Sequence, residues 1–165
     1  MKKNIFIIGA RGSRLSLAQT EGAVAFLRAQ FPDTDYRIVT VETPGDRDLT
    51  PPIEKSAPDF FTRDLDDAVR AGTIDFAVHS AKDLPDPVAD DLDWFWLPNR
   101  EDPRDCWVMR CGEKLNVKSA RLRIGISSAR REAYARKIFP KAKLLPIRGA
   151  IDSRIQQLLD GKYDA

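Results

Sequence analysis

The chain has 165 residues, 42% of them hydrophobic, and 27 Lys plus Arg against 25 Asp plus Glu leave a net charge of only +2. That length suits one domain or two small ones with a real core, and the near-neutral balance gives no bulk steering toward nucleic acid or a membrane surface, so any basic function is local. One histidine and two cysteines exclude a four-cysteine zinc site, a site of paired Cys and paired His, and a disulfide framework, and no apolar run approaches the ~20 residues that span a bilayer. The expectation is a soluble cytoplasmic protein without a metal.

In chain order, Asn4 to Ile8 reads as a buried strand, Ser16 to Phe31 carries apolar residues at helical spacing, and Tyr36 to Val41 returns to strand. Thr43 to Pro58, rich in Pro and charge, reads as a long loop. Asp59 to Ala71 is a second helix with Phe61, Leu65 and Val69 on one face, followed by a strand at Ile74 to Val78 and an apolar run at Trp94 to Leu97. The pattern breaks over residues 99–104, which read as a hinge, and Cys106 to Met109 starts a new strand. The rhythm then repeats: strand Arg123 to Ile126, helix Ala129 to Phe139, strand Leu144 to Ile147, helix Ile151 to Leu159, with Gly161 closing that helix and Tyr163 to Ala165 opening another strand. This predicts an α/β protein of two domains, residues 1–98 and 105–165, the second incomplete.

Four strands end in turns of similar chemistry: Gly9-Ala10-Arg11-Gly12-Ser13, His79-Ser80-Ala81-Lys82-Asp83, Gly125 to Arg131, and Ile147-Arg148-Gly149-Ala150. The carboxyl ends of strands form the ligand crevice of an open α/β sheet. Helix amino ends and serine hydroxyls attract anions there, and arginine adds bidentate recognition of carboxylate or phosphate. The implied ligand is a multiply charged anion. Any one arginine also reads as a solvated surface charge, and it is the shared bias of the four turns that argues for a site. No Walker or G-x-G-x-x-G loop supports nucleotide binding.

Asp83, beside Lys82, is either a fixed carboxylate able to take a proton or steady a cation, or a cap of the turn before Pro85. His79 reads as a satisfied strand-end residue, Cys106 and Cys111 as small buried hydrophobes, and Phe60, Phe61, Trp94, Phe95 and Trp96 as core.

These strings together resemble the porphobilinogen deaminase, or hydroxymethylbilane synthase, family from Ile7 to Ala165. The carriers are Gly9 to Gln19, the His-Ser-x-Lys-Asp-x-Pro string at His79 to Pro85, the Arg-Glu-Asp-Pro-Arg-Asp string at Arg100 to Asp105, Ser127 to Arg131, Arg148-Gly149 and Arg154. The resemblance implies two domains of the type II periplasmic-binding-protein fold with the active site in their cleft, and a third domain absent here. It implies a transferase of tetrapyrrole (haem) biosynthesis that joins four porphobilinogen units with loss of ammonia on a dipyrromethane cofactor, whose attachment cysteine is not in this chain. Asp83 would be catalytic. Arg11, Ser13, Lys82, Ser127, Ser128, Arg130, Arg131, Arg148, Gly149 and Arg154 would hold the acetate and propionate groups of cofactor and substrate. The sequence departs from the family pattern at Ile126 (usually Thr), at Ala150 (usually Asn) and at Pro58-Asp59-Phe60-Phe61 (usually Lys-Gly-Leu-Phe). A monomer that binds neither nucleic acid nor membrane is expected. A rival reading is a relative that binds an anionic small molecule without catalysis, and a nucleic-acid binder is disfavoured by the charge balance.

Overall fold

A computed structural model describes residues 5–43, 57, 59–98 and 101–165. The loop expected at Thr43 to Pro58 lies almost wholly outside the described residues, as do the first two residues of the expected hinge. The chain forms two compact units, Met1–Arg100 and Glu101–Ala165. Both are α/β with parallel sheets.

In the first unit, strand β1 (Ile5–Ala10) lies between β2 (Asp35–Thr40) and β3 (Phe76–Ala77), parallel to each. Parallel neighbours require crossovers, which helices α1 (Arg14–Gln30) and α2 (Arg63–Arg70) supply. The β-branched and aromatic residues of these strands match their setting: Phe6 stacks on Tyr36 across one pair and meets Phe76 across the other. The core gathers Ile8 and Ala10 of β1 with Ala23 and Val24 of α1, Leu65 of α2, and Ile74. Gly9 allows this approach, since a Cβ there would stand 2.4 Å from Ile74 Cδ1 and 2.6 Å from Leu65 Cδ2. β3 is shorter than the expected Ile74 to Val78, yet Asp75 and Val78 still donate to Ile7 and Gly9 of β1.

In the second unit, β4 (Arg123–Ile126) pairs in parallel with β5 (Lys143–Pro146) across helix α3 (Ala129–Ile138), and helix α4 (Ile151–Leu159) follows. The other edge of β4 is taken by the chain end: Gly125 N–H donates to the Ala165 carbonyl and Asp164 N–H to that of Arg123. Leu122, Ile124 and Phe139 form one small core, and Ile147, Leu158 and Tyr163 another. Arg110 anchors the end of α4 by donating to the Leu158 and Tyr163 carbonyls.

Three expectations are corrected. Cys106 to Met109 form no strand, β4 being flanked instead by β5 and by the hydrogen bonds of residues 164–165, and Cys106 and Cys111 are exposed rather than buried. Trp94, Phe95 and Trp96 are exposed, with Trp94 and Trp96 packed edge-on against each other. Phe60 and Phe61 are only partly buried.

Candidate functional site

In the first unit the site grows from the turns after the adjacent strands β1 and β3. Ser13 caps α1, its Oγ accepting from Ser16 N–H, while Ser16 Oγ accepts from Arg11 N–H and so fixes the Arg11 backbone. Its guanidinium lies 3.7 Å from the Asp83 carboxylate and over the Phe61 ring at 4.4 Å from the centroid. Asp83 ends a single 3-10 turn, Ala81–Asp83, whose start is tied to α1 by Ser80 Oγ donating to Gln19 Oε1. Lys82 is exposed on that turn, and no ion pair ties it to another described residue. The structure therefore brings Arg11, Ser13 and Asp83 to one end of the sheet.

His79 departs from expectation. Its side chain is nine-tenths buried, yet Nε2 has no hydrogen-bond partner among the described residues and stands 4.0 Å from Asp66 Oδ1 on α2. Burial pushes the imidazole pKa below its ordinary value, with Asp66 and Asp83 pulling it up and Arg11 pushing it further down.

In the second unit the site grows from the turns after β4 and β5. Ser128 caps α3 by accepting from Arg131 N–H at 3.5 Å, and this places Arg130 and Arg131 in the first helical turn. Gly149 has φ 103°, a conformation L side chains rarely adopt, so the turn after Arg148 requires glycine. Arg154, in the first turn of α4, joins the two turns: Nε donates to the Gly149 carbonyl at 2.7 Å and Nη1 to Ser127 Oγ at 2.9 Å. No carboxylate among the described residues answers this half-buried guanidinium, and its pKa is lowered by desolvation and then by the neighbouring charges of Arg131 and Arg148. Among the described residues, Arg131 of this group has a counter-charge, Asp105, whose carboxyl its guanidinium holds below the usual range. Arg130 is exposed. Ala150 occupies the cap position of α4 without a side-chain hydrogen bond, which leaves the amino end of that helix to a ligand or water.

Clustered cations set against each other are costly unless an anion joins them. The structure gathers Ser127, Ser128, Arg131, Arg148, Gly149 and Arg154 into such a cluster. Sequence reasoning missed Phe61 as the platform for Arg11, Asp105 as the partner of Arg131, and the unsatisfied state of His79. The Asp105 signal lay in the Arg100 to Asp105 string, while nothing in the local pattern of Phe61 separates a core ring from one beneath a guanidinium.

Residues 6–165 match the sequence profile described as "Porphobilinogen deaminase, dipyromethane cofactor binding domain". The chain belongs to this family. Among curated relatives, the porphobilinogen deaminase of Deinococcus radiodurans is 41% identical over 162 residues, covering 96% of this chain and 52% of the relative. The probable porphobilinogen deaminase of Nitrosopumilus maritimus is 39% identical over 160 residues, 97% of this chain and 51% of its own. That of Syntrophobacter fumaroxidans is 36% identical over 166 residues, 100% and 54% respectively. The chain thus spans about half the length of the curated relatives it matches.

The porphobilinogen deaminase profile names a dipyrromethane cofactor, and the donor set of the second unit fits one: Arg154 without a carboxylate partner among the described residues, Arg131 and Arg148 beside it, a serine pair and an uncapped helix amino end suit a pyrrole bearing carboxylate groups.

Proposed function

We propose that this chain supplies the cofactor- and substrate-binding part of a hydroxymethylbilane synthase, which joins four porphobilinogen units stepwise and releases ammonia at each step. Arg11, Ser13 and Lys82 of the first unit and Ser127, Ser128, Arg130, Arg131, Arg148, Gly149 and Arg154 of the second bind the carboxylates of cofactor and substrate. When bound, dipyrromethane supplies the pyrrole carbon on which the chain is extended. Asp83 takes part in deamination and steadies the positive charge that develops on the substrate pyrrole as ammonia leaves, with the Arg11 guanidinium 3.7 Å away. The observation that carries the reading is this pairing: a carboxylate 3.7 Å from a guanidinium, at the carboxyl end of a parallel sheet.

Both units are of the periplasmic-binding-protein type, a reading supported by parallel sheets whose anion-binding turns follow the strand ends. The domains are residues 1–98 and 105–165 with a hinge at 99–104, supported by the passage from one compact unit to the next at Arg100 and Glu101. A cytoplasmic setting suits two exposed, unpaired cysteines. No described helix is long and apolar enough to cross a membrane.

The test is Asp83→Asn in the product of the complete reading frame, with turnover of porphobilinogen followed by oxidation of the product to uroporphyrin. Turnover should fall by ~10²-fold or more while porphobilinogen still binds, as for loss of one preorganised electrostatic partner. Undiminished turnover would remove Asp83 from the chemistry.

A further inference from the structure

The turn that carries Asp83 leaves the sheet with little to hold it. Pairing between β1 and β3 covers Ile8 with Phe76 and Gly9 with Ala77, and Val78 N–H adds a bond to the Gly9 carbonyl at 3.1 Å. Beyond Val78 the backbone hydrogen bonds are internal to the turn: Asp83 N–H donates to the Ser80 carbonyl at 2.9 Å and Leu84 N–H to that of Ala81 at 3.4 Å. Among the described residues, one hydrogen bond ties this turn to another element, Ser80 Oγ donating to Gln19 Oε1 of α1 at 2.8 Å. We propose that Gln19 is a positioning residue: by accepting from Ser80 it fixes where Asp83 stands against Arg11, and so the geometry in which that carboxylate meets the substrate. The inference rests on the reading of Asp83 given above.

The same helix holds the other half of the pair. Ser16 Oγ accepts from Arg11 N–H at 3.1 Å, and Ser16 and Gln19, three residues apart, share one face of the first turns of α1. That part of α1 is itself well anchored. Ser13 caps its amino end, the fully buried Thr20 donates its hydroxyl to the Ser16 carbonyl at 2.9 Å, and Ala23 and Val24 lie in the core one turn on. Arg11 and Asp83 come from turns that follow different strands, yet both are referenced to α1, one through Ser16 and the other through Ser80 and Gln19. Their 3.7 Å separation follows from where that helix places the two turns. A carboxylate that must face a developing charge loses most of its effect when displaced by about an ångström, so a tether on its turn acts on the rate without touching the ligand. Gln19 is exposed and Ser80 part-buried, so water competes for their bond and its weight is that of a single surface hydrogen bond.

The product of the complete reading frame serves for the kinetics, with porphobilinogen turnover followed as uroporphyrin and binding by titration calorimetry. Gln19→Ala should lower kcat about fivefold, the weight of one net hydrogen bond, and leave the Kd for porphobilinogen unchanged. Ser80→Ala should do the same, and the double variant should be no worse than either single, because all three lack the same bond. Gln19→Glu keeps the acceptor and Ser80→Thr keeps the hydroxyl, and each should recover most of the rate. Amide protection of β1 in the 165-residue chain should be equal with and without Gln19→Ala, which separates a moved turn from a loosened unit. Unchanged kcat in Gln19→Ala, a raised Kd, or losses that multiply in the double variant overturn the inference and leave the role of Asp83 intact. Undiminished turnover in Asp83→Asn overturns both. Should Gln19→Ala lose protection of β1, Ser80→Ala and Ser80→Thr decide, and equal kcat in these two overturns the inference.

Discussion

The two units treat their arginines differently. In the first, Arg11 already has a carboxylate, Asp83, and an aromatic face beneath it; in the second, Arg154 bridges two turns through a carbonyl and a hydroxyl, with Arg131 and Arg148 as its charged neighbours and no carboxylate of its own among the described residues. The first site pairs its arginine with a carboxylate, and the second gathers arginines that, on the proposed reading, take a ligand's negative charge. A ligand carboxylate entering the first unit must displace an existing contact, whereas one entering the second relieves a repulsion. On the proposed reading, the second unit is the source of affinity and the first holds the carboxylate used in the chemistry.

The largest effect should come from breaking this asymmetry at Arg154. Replacing Arg154 with Leu removes a half-buried cation and both hydrogen bonds that join the two turns, and should weaken porphobilinogen binding by about a hundredfold, in keeping with the 2–5 kcal/mol that truncating a buried charge partner costs. Arg11→Leu should cost less affinity, because Arg11 gives up Asp83 in order to bind. Titration calorimetry on the two variants ranks them, and a greater loss from Arg11→Leu would reverse the comparison. Arg154→Lys keeps the charge but not the fork, and should recover part of the affinity.

The two cores differ as the two sites do. Gly9→Ala drives a Cβ into Ile74 and Leu65, both held in the first unit's core, and should destabilise that unit by about 1–3 kcal/mol. Gly125→Ala meets Ile147 Cδ1 at 3.0 Å and Tyr163 Cδ1 at 3.1 Å, side-chain atoms of a smaller cluster that can give by a few tenths of an ångström. Its cost is offset by the ~0.4–1 kcal/mol gained when glycine's freedom is removed from the unfolded chain, so a near-neutral result is expected. Amide exchange of β1 in one variant and of β4 in the other reports each unit separately.

Much of this was legible in the sequence. Period-two and period-3.6 patterns locate β1, α1, β2, α2, β4, α3, β5 and α4 to within a few residues, and the turn strings locate the arginines, because strand ends and helix caps are local chemistry. What failed was non-local. Trp94 to Trp96 and Cys106 to Met109 are apolar enough for core or strand, but burial needs a facing element and a strand needs a free edge, and neither condition is written in the segment itself. The partners of Arg11 and Arg131, Phe61 and Asp105, lie 50 and 26 residues away in the chain, so pairing them required the fold.

A smaller effect separates the units by pH. The ring of His79 in the first unit titrates below its ordinary value because it is buried, so between that lowered point and the usual ~6.5 the unfolded chain binds the extra proton. Stability from this group is complete above the usual histidine value and is lost as the pH falls through the lowered one. The second unit contains no histidine, and its carboxylates Asp105 and Asp164, held low by Arg131 and Arg123, lose their contribution only as pH falls below the ordinary carboxylate range. Amide protection, corrected for the intrinsic exchange rate at each pH, should therefore fall on mild acidification in the first unit and not the second, and His79→Asn should abolish that difference.

The smallest effect concerns Arg131, a cation of the second site that is already answered. Asp105 holds Arg131 through Oδ1, with Nε at 3.0 Å and Nη2 at 2.7 Å, and both side chains are about half exposed. Exposed pairs of this kind contribute little to stability, so Asp105→Asn should leave the unfolding transition where it is. For a ligand, however, Asp105 is a competitor that occupies one of the two guanidiniums beside Arg154. Removing its charge should tighten porphobilinogen binding severalfold at low salt, and the gain should shrink as salt screens the site. Weaker binding by the variant would mean that Asp105 orients Arg131 toward the ligand rather than holding it back, and the second unit would then resemble the first in keeping a carboxylate as part of its binding apparatus.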